Sequence, residues 1–189
     1  NKDAWKYIID VAKEAALTGF KEIQFDYIRF EATKSLENAS FGNNIDASLS
    51  RIDVITEFIE YAMEELEPYN VVVSADVFGT IIASEIDANM IGQNYLEMAK
   101  RLDVICPMVY PSHYGRGYYG LSASLPPDLY PYEIIYGSMM DSARVLENLP
   151  EDNNNVIVRP WLQAFTASYL GSGNYMTYDG EAIRKQIQA

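Results

Sequence analysis

The stretch Glu22-Ile-Gln-Phe-Asp-Tyr-Ile-Arg-Phe30 predicts a β-strand with polar groups on one side. Gln24 and Asp26 share that side, and apolar or aromatic residues alternate with them, which is the period of two typical of a strand. An unpaired carboxylate in an apolar setting is costly, so a strand that served only for packing would not carry aspartate there. Asp26 is therefore the first residue whose presence a function must explain.

Three later stretches also have the composition of strands, at residues 71–78, 103–110 and 156–163. The first of them repeats the pattern around Asp26, because Ser74 and Asp76 are again two residues apart. The last places polar or aromatic residues on one side, namely Arg159, Trp161 and Gln163. Side chains of equal parity on neighbouring strands lie on the same face of the sheet. We therefore expect the side chains of Asp26 and Asp76 to point into the same space.

Helical patterns separate these strands. They cover residues 3–17, 50–67, 87–102 and 132–146, and a last helix begins near residue 179. In the first pattern the apolar residues at helical spacing are Ala4, Ile8, Val11, Ala12 and Ala15. Regular alternation of helix and strand predicts a parallel α/β sheet.

The connections indicate where a site lies. Those from helix to strand are short, whereas those after Phe30, Tyr110 and Gln163 are long, and the segments 31–48 and 111–131 are predicted loops. Ligands of parallel α/β folds bind beyond the carboxyl ends of the strands, where these long loops lie. The predicted site is therefore on that face, where Asp26, Asp76, Tyr110 and Gln163 fall.

Two parallel architectures fit such a chain. A doubly wound sheet is one, but no glycine-rich phosphate turn follows any predicted strand. Inward polar residues at successive strand ends favour a (β/α) TIM-type barrel, which has eight strands and about 250 residues. With four predicted strands, residues 1–189 are expected to form a single barrel domain or a barrel fragment, and unclosed sheet edges predict a homo-oligomer.

Composition excludes several partner classes. The net charge of −13 argues against nucleic acid and against an anionic membrane surface, because both need clustered Lys and Arg. No apolar run is long enough for membrane insertion, and no charged-then-apolar signal peptide opens the sequence. Cys106 is the only cysteine, so neither a disulfide framework nor a cysteine zinc site is expected. No motif calls for a cofactor or a metal.

Four strings, in this order, resemble a bacterial family of predicted glycoside hydrolases long catalogued as a domain of unknown function. They are Gln24-Phe-Asp-Tyr-Ile-Arg-Phe30, Ser74-Ala-Asp-Val-Phe-Gly79, Pro107-Met-Val-Tyr-Pro-Ser-His-Tyr114 and Val158-Arg-Pro-Trp-Leu-Gln163. The resemblance implies a TIM barrel distantly related to the α-amylase superfamily. It also implies a polysaccharide substrate and an extracellular or cell-envelope location.

By analogy with such barrels, Asp26 is the nucleophile or base and Asp76 the acid/base. The sequence departs from the α-amylase pattern, since Gln24 stands where arginine is usual and Asp76 where glutamate is usual. The seventh-strand aspartate of amylases has no counterpart among Arg159, Trp161 and Gln163. The fold is therefore better supported by the resemblance than the mechanism is.

The residues themselves also suit glycosidase chemistry. That reaction needs two carboxyl groups, and equal parity on adjacent strands is compatible with the separation of about 5 Å found in retaining enzymes. Sugars bind to aromatic faces and hydrogen-bonding groups, and the loops at the proposed mouth also carry Tyr118 and Tyr119. The predicted substrate-binding residues are Arg29, Tyr110, His113, Tyr114, Arg159, Trp161 and Gln163.

Other interpretations stay open at this point. Asp26 has a structural role if it pairs with Arg29 or Arg159, and Asp76 has one if it caps the following turn. A catalytically silent carbohydrate-binding barrel fits the missing amylase residues and the aromatic loops. A metal-dependent hydrolase would use Asp26, Asp76 and His113, which have suitable ligand chemistry but no motif spacing.

Overall fold

The computed structural model describes residues 2–32, 48–150 and 155–189. The helices are α1 (Lys2–Leu17), α2 (Arg51–Leu66), α3 (Glu85–Ile91), α4 (Tyr95–Ala99), α5 (Pro131–Leu146) and α6 (Gly180–Gln188). The strands are β1 (Glu22–Phe25), β2 (Val72–Phe78), β3 (Val104–Val109), β4 (Ile157–Val158) and β5 (Trp161–Leu162). Most of the predicted loop at 31–48 lies outside the described residues.

The strands form one parallel sheet in the order β1-β2-β3-β4, and β5 also pairs with β3. Spatial order follows chain order without the reversal that defines a doubly wound sheet. Helices separate β1, β2, β3 and β4 along the chain, as in a (β/α) barrel. The predicted α/β class is confirmed, and the described strands make up part of a TIM-type barrel.

Three predicted elements differ from the structure. The first strand ends at Phe25 rather than residue 30, because Tyr27 has a left-handed backbone with φ of 56°. The helix predicted over 87–102 is two helices, since Gly92 ends α3 in the left-handed region with φ of 79°. The last strand is split into β4 and β5 around Pro160, which has no N–H to donate to the sheet.

The convex face of the sheet packs against helices and forms the main core. Val73, Ala75 and Ile105 point to this side and are fully or almost fully buried. Helix α2 begins with a capping box between Ser50 and Asp53 and supplies a long buried face. Helix α1 buries Ile9 and Ala12, whereas Ile8 and Val11 from the stripe noted in the sequence are exposed. The buried face of α1 is therefore rotated from the expected one.

The concave face carries the polar side chains, and two of them join opposite edges of the sheet. The Arg159 guanidinium, directly after β4, donates to both carboxylate oxygens of Glu22 at the start of β1. A flat sheet would separate β1 from β4 by roughly 14 Å, because neighbouring strands lie 4.7–4.9 Å apart. The two long side chains therefore reach toward each other across the inner face of the sheet.

The Glu22 carboxylate makes the stability of the fold sensitive to acid. Hydrogen bonds from Arg159, and then from the Ser74 hydroxyl at 2.6 Å, lower the pKa of Glu22 from 4.5 to about 2. A pKa lowered by folding contributes stability that is present above the unfolded-state pKa and is lost as pH falls through the folded-state pKa.

We therefore expect Glu22→Gln to destabilise the chain at pH 7, with the difference from wild type shrinking between about pH 4.5 and pH 2. Urea unfolding followed by circular dichroism at stepped pH would measure this. Glu57→Gln is the matched control, since Glu57 pairs with Lys2 at an exposed position and little change is expected there. Equal unfolding free energies of Glu22→Gln and wild type at pH 7 would contradict the prediction.

Candidate functional site

A cavity of about 300 Å³ opens at the carboxyl ends of β1, β2 and β3. This is the face that the long loops of the sequence predicted. Asp26 and Asp76 both line the cavity, so adjacent strands bring the two carboxylates to one space. The lining residues are Asp26, Tyr27, Arg29, Asp76, Phe78, Gln93, Met108, Tyr110 and His113.

Asp76 lies on the inner side of β2 and is 8% exposed. Its Oδ1 accepts two hydrogen bonds, one from Gln24 Nε2 on β1 and one of 2.7 Å from the Trp161 indole N–H on β5. An oxygen that faces two donors cannot itself carry a proton without losing one of them. Oδ2 is therefore the oxygen of Asp76 that can give or take a proton.

Asp26 follows β1 directly, where the chain leaves the sheet. Its Oδ1 accepts a hydrogen bond of 2.7 Å from the backbone N–H of Tyr27, and the left-handed conformation of Tyr27 completes the turn. The turn closes when the Arg29 N–H donates to the Tyr27 carbonyl at 2.8 Å. Asp26 is exposed and forms no salt bridge with any described residue. The structural ion pair of Asp26 with Arg29 or Arg159 is therefore not formed, and Arg159 pairs with Glu22 instead.

Arg29 places a positive charge at the cavity. Its guanidinium carbon lies 4.9 Å from the centre of the Phe78 ring and 5.2 Å from that of Tyr27, which are cation–π distances. One of its nitrogens donates to the Phe30 carbonyl at 3.1 Å. The two carboxylates thus share their cavity with a cation whose orientation is set by two rings.

Tyr110 and His113 form the wall on the β3 side. Their rings meet edge to face at 5.2 Å, and the imidazole is nearly parallel to the Phe78 ring at 6.4 Å. Desolvation, together with the negative charges of Asp76 and Asp26, raises the pKa of Tyr110, so its hydroxyl keeps its proton. Desolvation lowers the pKa of His113, which favours the neutral imidazole.

Gln93, which follows α3, is a residue of this site that the sequence did not single out. Its amide is almost fully buried and donates to the carbonyls of Ile28 at 3.3 Å and Asp76 at 3.2 Å, while accepting from the Phe78 N–H at 3.1 Å. It therefore ties the turn after β1 to the end of β2. No local sequence signal marks it, because its partners are distant in sequence.

Three predicted substrate-binding residues are not brought to the cavity. Tyr114 is buried against α5, where its hydroxyl accepts from Ser138 Oγ at 2.9 Å, and burial raises its pKa far above the ordinary value. Gln163 is fully buried and bonded within the protein. Arg159 pairs with Glu22. Trp161 lies at the edge of the site through its bond to Asp76.

The described part of the chain brings together no group of three or more His, Cys, Asp or Glu side chains suited to a metal ion. In particular, Asp26, Asp76 and His113 line one cavity without forming such a group. None of the helices within residues 2–32, 48–150 and 155–189 is long and apolar enough to cross a membrane.

Comparison with known proteins identifies the family of this chain. A family model described as "Putative glycosyl hydrolase domain" matches residues 1–189. The chain belongs to this glycosyl hydrolase domain family. A search of curated protein sequences found no match.

One solved structure resembles this glycosyl hydrolase domain in fold, and a second matches it at a lower score. The PgaB (BpsB) glycoside hydrolase domain from Bordetella bronchiseptica is 15% identical with a TM-score of 0.58, over 100% of this chain and 54% of that one. The spore cortex-lytic enzyme SleL of Bacillus megaterium QM B1551 is 16% identical with a TM-score of 0.48, over 99% of this chain and 37% of that one. The present chain therefore spans about half of the PgaB domain structure and just over a third of the SleL structure.

The three hydrogen bonds of the Gln93 amide predict that its replacement lowers the unfolding free energy of this glycosyl hydrolase domain. Gln93→Glu keeps the shape but cannot donate to the two carbonyls, and Gln93→Leu loses all three bonds. Because each buried polar group left unsatisfied costs about 1–3 kcal/mol, we expect both variants to lose about 2–4 kcal/mol of unfolding free energy.

Urea unfolding measures this loss, and Gln188→Leu at an exposed position of α6 is the control. The control is expected to change the free energy by less than about 0.5 kcal/mol. Losses at residue 93 as small as those of the control would contradict the assigned role of the amide.

Proposed function

We propose that this chain carries the site of a glycoside hydrolase that cleaves a polysaccharide or oligosaccharide through Asp26 and Asp76. The observation that supports it most is that both carboxylates line one cavity at the ends of adjacent strands. Membership of the glycosyl hydrolase domain family supports the same reaction class. Hydrolysis of a glycosidic bond needs one ionised and one protonated carboxyl group, and these two residues would supply them.

Asp26 acts as nucleophile or base in this proposal. It lies at the exposed side of the cavity, and its Oδ1 is held by the N–H of the following residue. Since a hydrogen bond to one oxygen fixes the plane of the carboxylate, the other oxygen is presented in a defined direction. Arg29 places a positive charge in the cavity that both carboxylates line.

Asp76 acts as acid/base. Gln24 and Trp161 occupy Oδ1 as donors, so the proton delivered to the leaving group, and later taken from water, is handled by Oδ2. Gln24 replaces the arginine usual in amylases with a neutral donor.

Tyr110 and His113 contact the substrate in this proposal. The hydroxyl of Tyr110 remains a donor, and a neutral His113 imidazole offers both a donor and an acceptor. Sugar hydroxyl groups need both kinds of partner, while the rings provide the apolar surface that sugar faces contact.

We expect Asp26→Asn and Asp76→Asn each to reduce hydrolysis by roughly a hundredfold to ten-thousandfold, because each removes a group that transfers a proton or attacks. Release of reducing ends from a panel of polysaccharides measures this. Trp161→Phe, which keeps a ring but removes the N–H from Oδ1, is expected to lower kcat about tenfold with little change in KM.

Asp141→Asn is the matched control, since Asp141 pairs with Arg144 on α5, away from the cavity-lining residues. Hydrolysis by Asp26→Asn at the wild-type rate would contradict the proposed chemistry. Binding of glycans by the wild-type chain without any turnover would instead favour the catalytically silent carbohydrate-binding barrel.

We further propose that residues 1–189 act as a single barrel domain or barrel fragment in an extracellular or cell-envelope protein.

We also propose that the chain self-associates. Among the described residues, β1 pairs only with β2, which supports self-association through this sheet edge. Light scattering on the purified chain tests the association, and a monodisperse monomer would contradict it.

A further inference from the structure

The segment 161–169, which lies beside the cavity, exposes three large aromatic side chains to solvent. Trp161 is 47% exposed, Phe165 is 42% exposed and Tyr169 is 68% exposed. The proposed chemistry gives a role to the indole N–H of Trp161 but none to Phe165 or Tyr169. Exposed aromatic rings that recur along one segment indicate a binding surface more often than scattered ones do.

These rings adjoin the cavity through direct contacts. The Phe165 ring meets the Tyr110 ring edge to face at 5.5 Å, and Tyr110 lines the cavity. The Tyr169 hydroxyl donates to Ser112 Oγ at 3.2 Å, between Tyr110 and His113 in the chain. The exposed rings therefore continue the wall that starts at the carboxylates.

A buried polar network holds the segment in place. Gln163 Nε2 donates to the Phe165 carbonyl at 3.1 Å and to Asp128 Oδ1 at 2.8 Å, and Gln163 Oε1 accepts from the Ser112 N–H at 3.0 Å. Gln186 on α6 bonds to both the N–H and the carbonyl of Gln163. The backbone beneath Phe165 is thus fixed to the loop after β3, so its ring stays displayed.

Two other groups of aromatic residues do not extend the cavity wall. The rings of Tyr114, Tyr118 and Tyr119 pack against one another and against α5. Tyr132 and Tyr136 stack at 5.8 Å on the outer face of α5, away from the cavity-lining residues. Exposure alone does not distinguish the rings of this segment, since Tyr136 is 47% exposed. Phe165 and Tyr169 differ from it in their contacts with Tyr110 and Ser112 at the cavity wall.

We propose that Phe165 and Tyr169, together with Trp161, form a platform for successive sugar units, so that the ligand is a glycan chain several units long. This rests on the proposed glycoside hydrolase function. An aromatic ring offers an apolar face to the C–H side of a sugar, and the neighbouring hydroxyl and amide groups can bond to its hydroxyl groups. Stacking of nucleic-acid bases is disfavoured, because such platforms need a positively charged groove and the net charge is −13.

The test measures binding without turnover, in the Asp26→Asn variant. Affinity electrophoresis against starch, β-1,3-glucan, xylan and glycol chitin identifies a polysaccharide that retains the chain. Calorimetry with the disaccharide and hexasaccharide of that polymer then compares Phe165→Ala and Tyr169→Ala with Tyr136→Ala, a change of an exposed ring outside the proposed platform.

The hexasaccharide is expected to bind each platform variant roughly tenfold more weakly, while the disaccharide changes less than about twofold and Tyr136→Ala leaves both unchanged. The platform is overturned if the variants lose affinity for the disaccharide and the hexasaccharide equally, or lose affinity for neither. It is also overturned if none of the four polysaccharides retains the chain. Failure of the proposed chemistry is distinguishable, since the length dependence would persist while the wild-type chain hydrolysed nothing.

Discussion

One carboxylate oxygen, Oδ1 of Asp76, joins three strands at the centre of the concave face. It accepts from Gln24 on β1 and from Trp161 on β5, while Asp76 itself belongs to β2. A carboxylate that is 8% exposed would be costly without such partners, so the burial of Asp76 depends on the donors from β1 and β5. The Glu22–Arg159 pair adds a second tie across the same face. Polar side chains on this face therefore tie together strands that are distant in the sequence.

The sequence predicted the parts of this structure that follow from local periodicity. Alternation around Asp26 and Asp76 placed both on one face of adjacent parallel strands, and the alternation of elements predicted the parallel sheet. Helices α2 and α5 agree within about one residue at each end, because capping residues and Pro131 mark them. The long connections after the strands located the cavity, since loops are free to lengthen only where they do not pack in the sheet.

What the sequence could not reveal depends on contacts between distant residues. Tyr114 and Tyr110 lie four positions apart in one aromatic loop, yet one packs under α5 and the other lines the cavity. Gln163 has the parity of an inward residue, but its partners Asp128 and Gln186 draw it into the core. Gln93 gives no signal at all, since its three bonds reach backbone groups of two other segments. Periodicity predicts which face of an element a side chain lies on, but it does not predict which groups the side chain contacts there.

The left-handed conformation of Tyr27 has a consequence for the design of stabilised variants. Such a backbone costs a residue with a Cβ about 1–2 kcal/mol that glycine would not incur. Yet the Tyr27 N–H bonds to Asp26, and the Tyr27 ring lies beside Arg29. A glycine here would relieve local strain and keep that N–H, but it would remove the ring beside the Arg29 guanidinium and so loosen a cation of the cavity. Position 27 is thus one where selection for heat resistance alone would act against the geometry of the site.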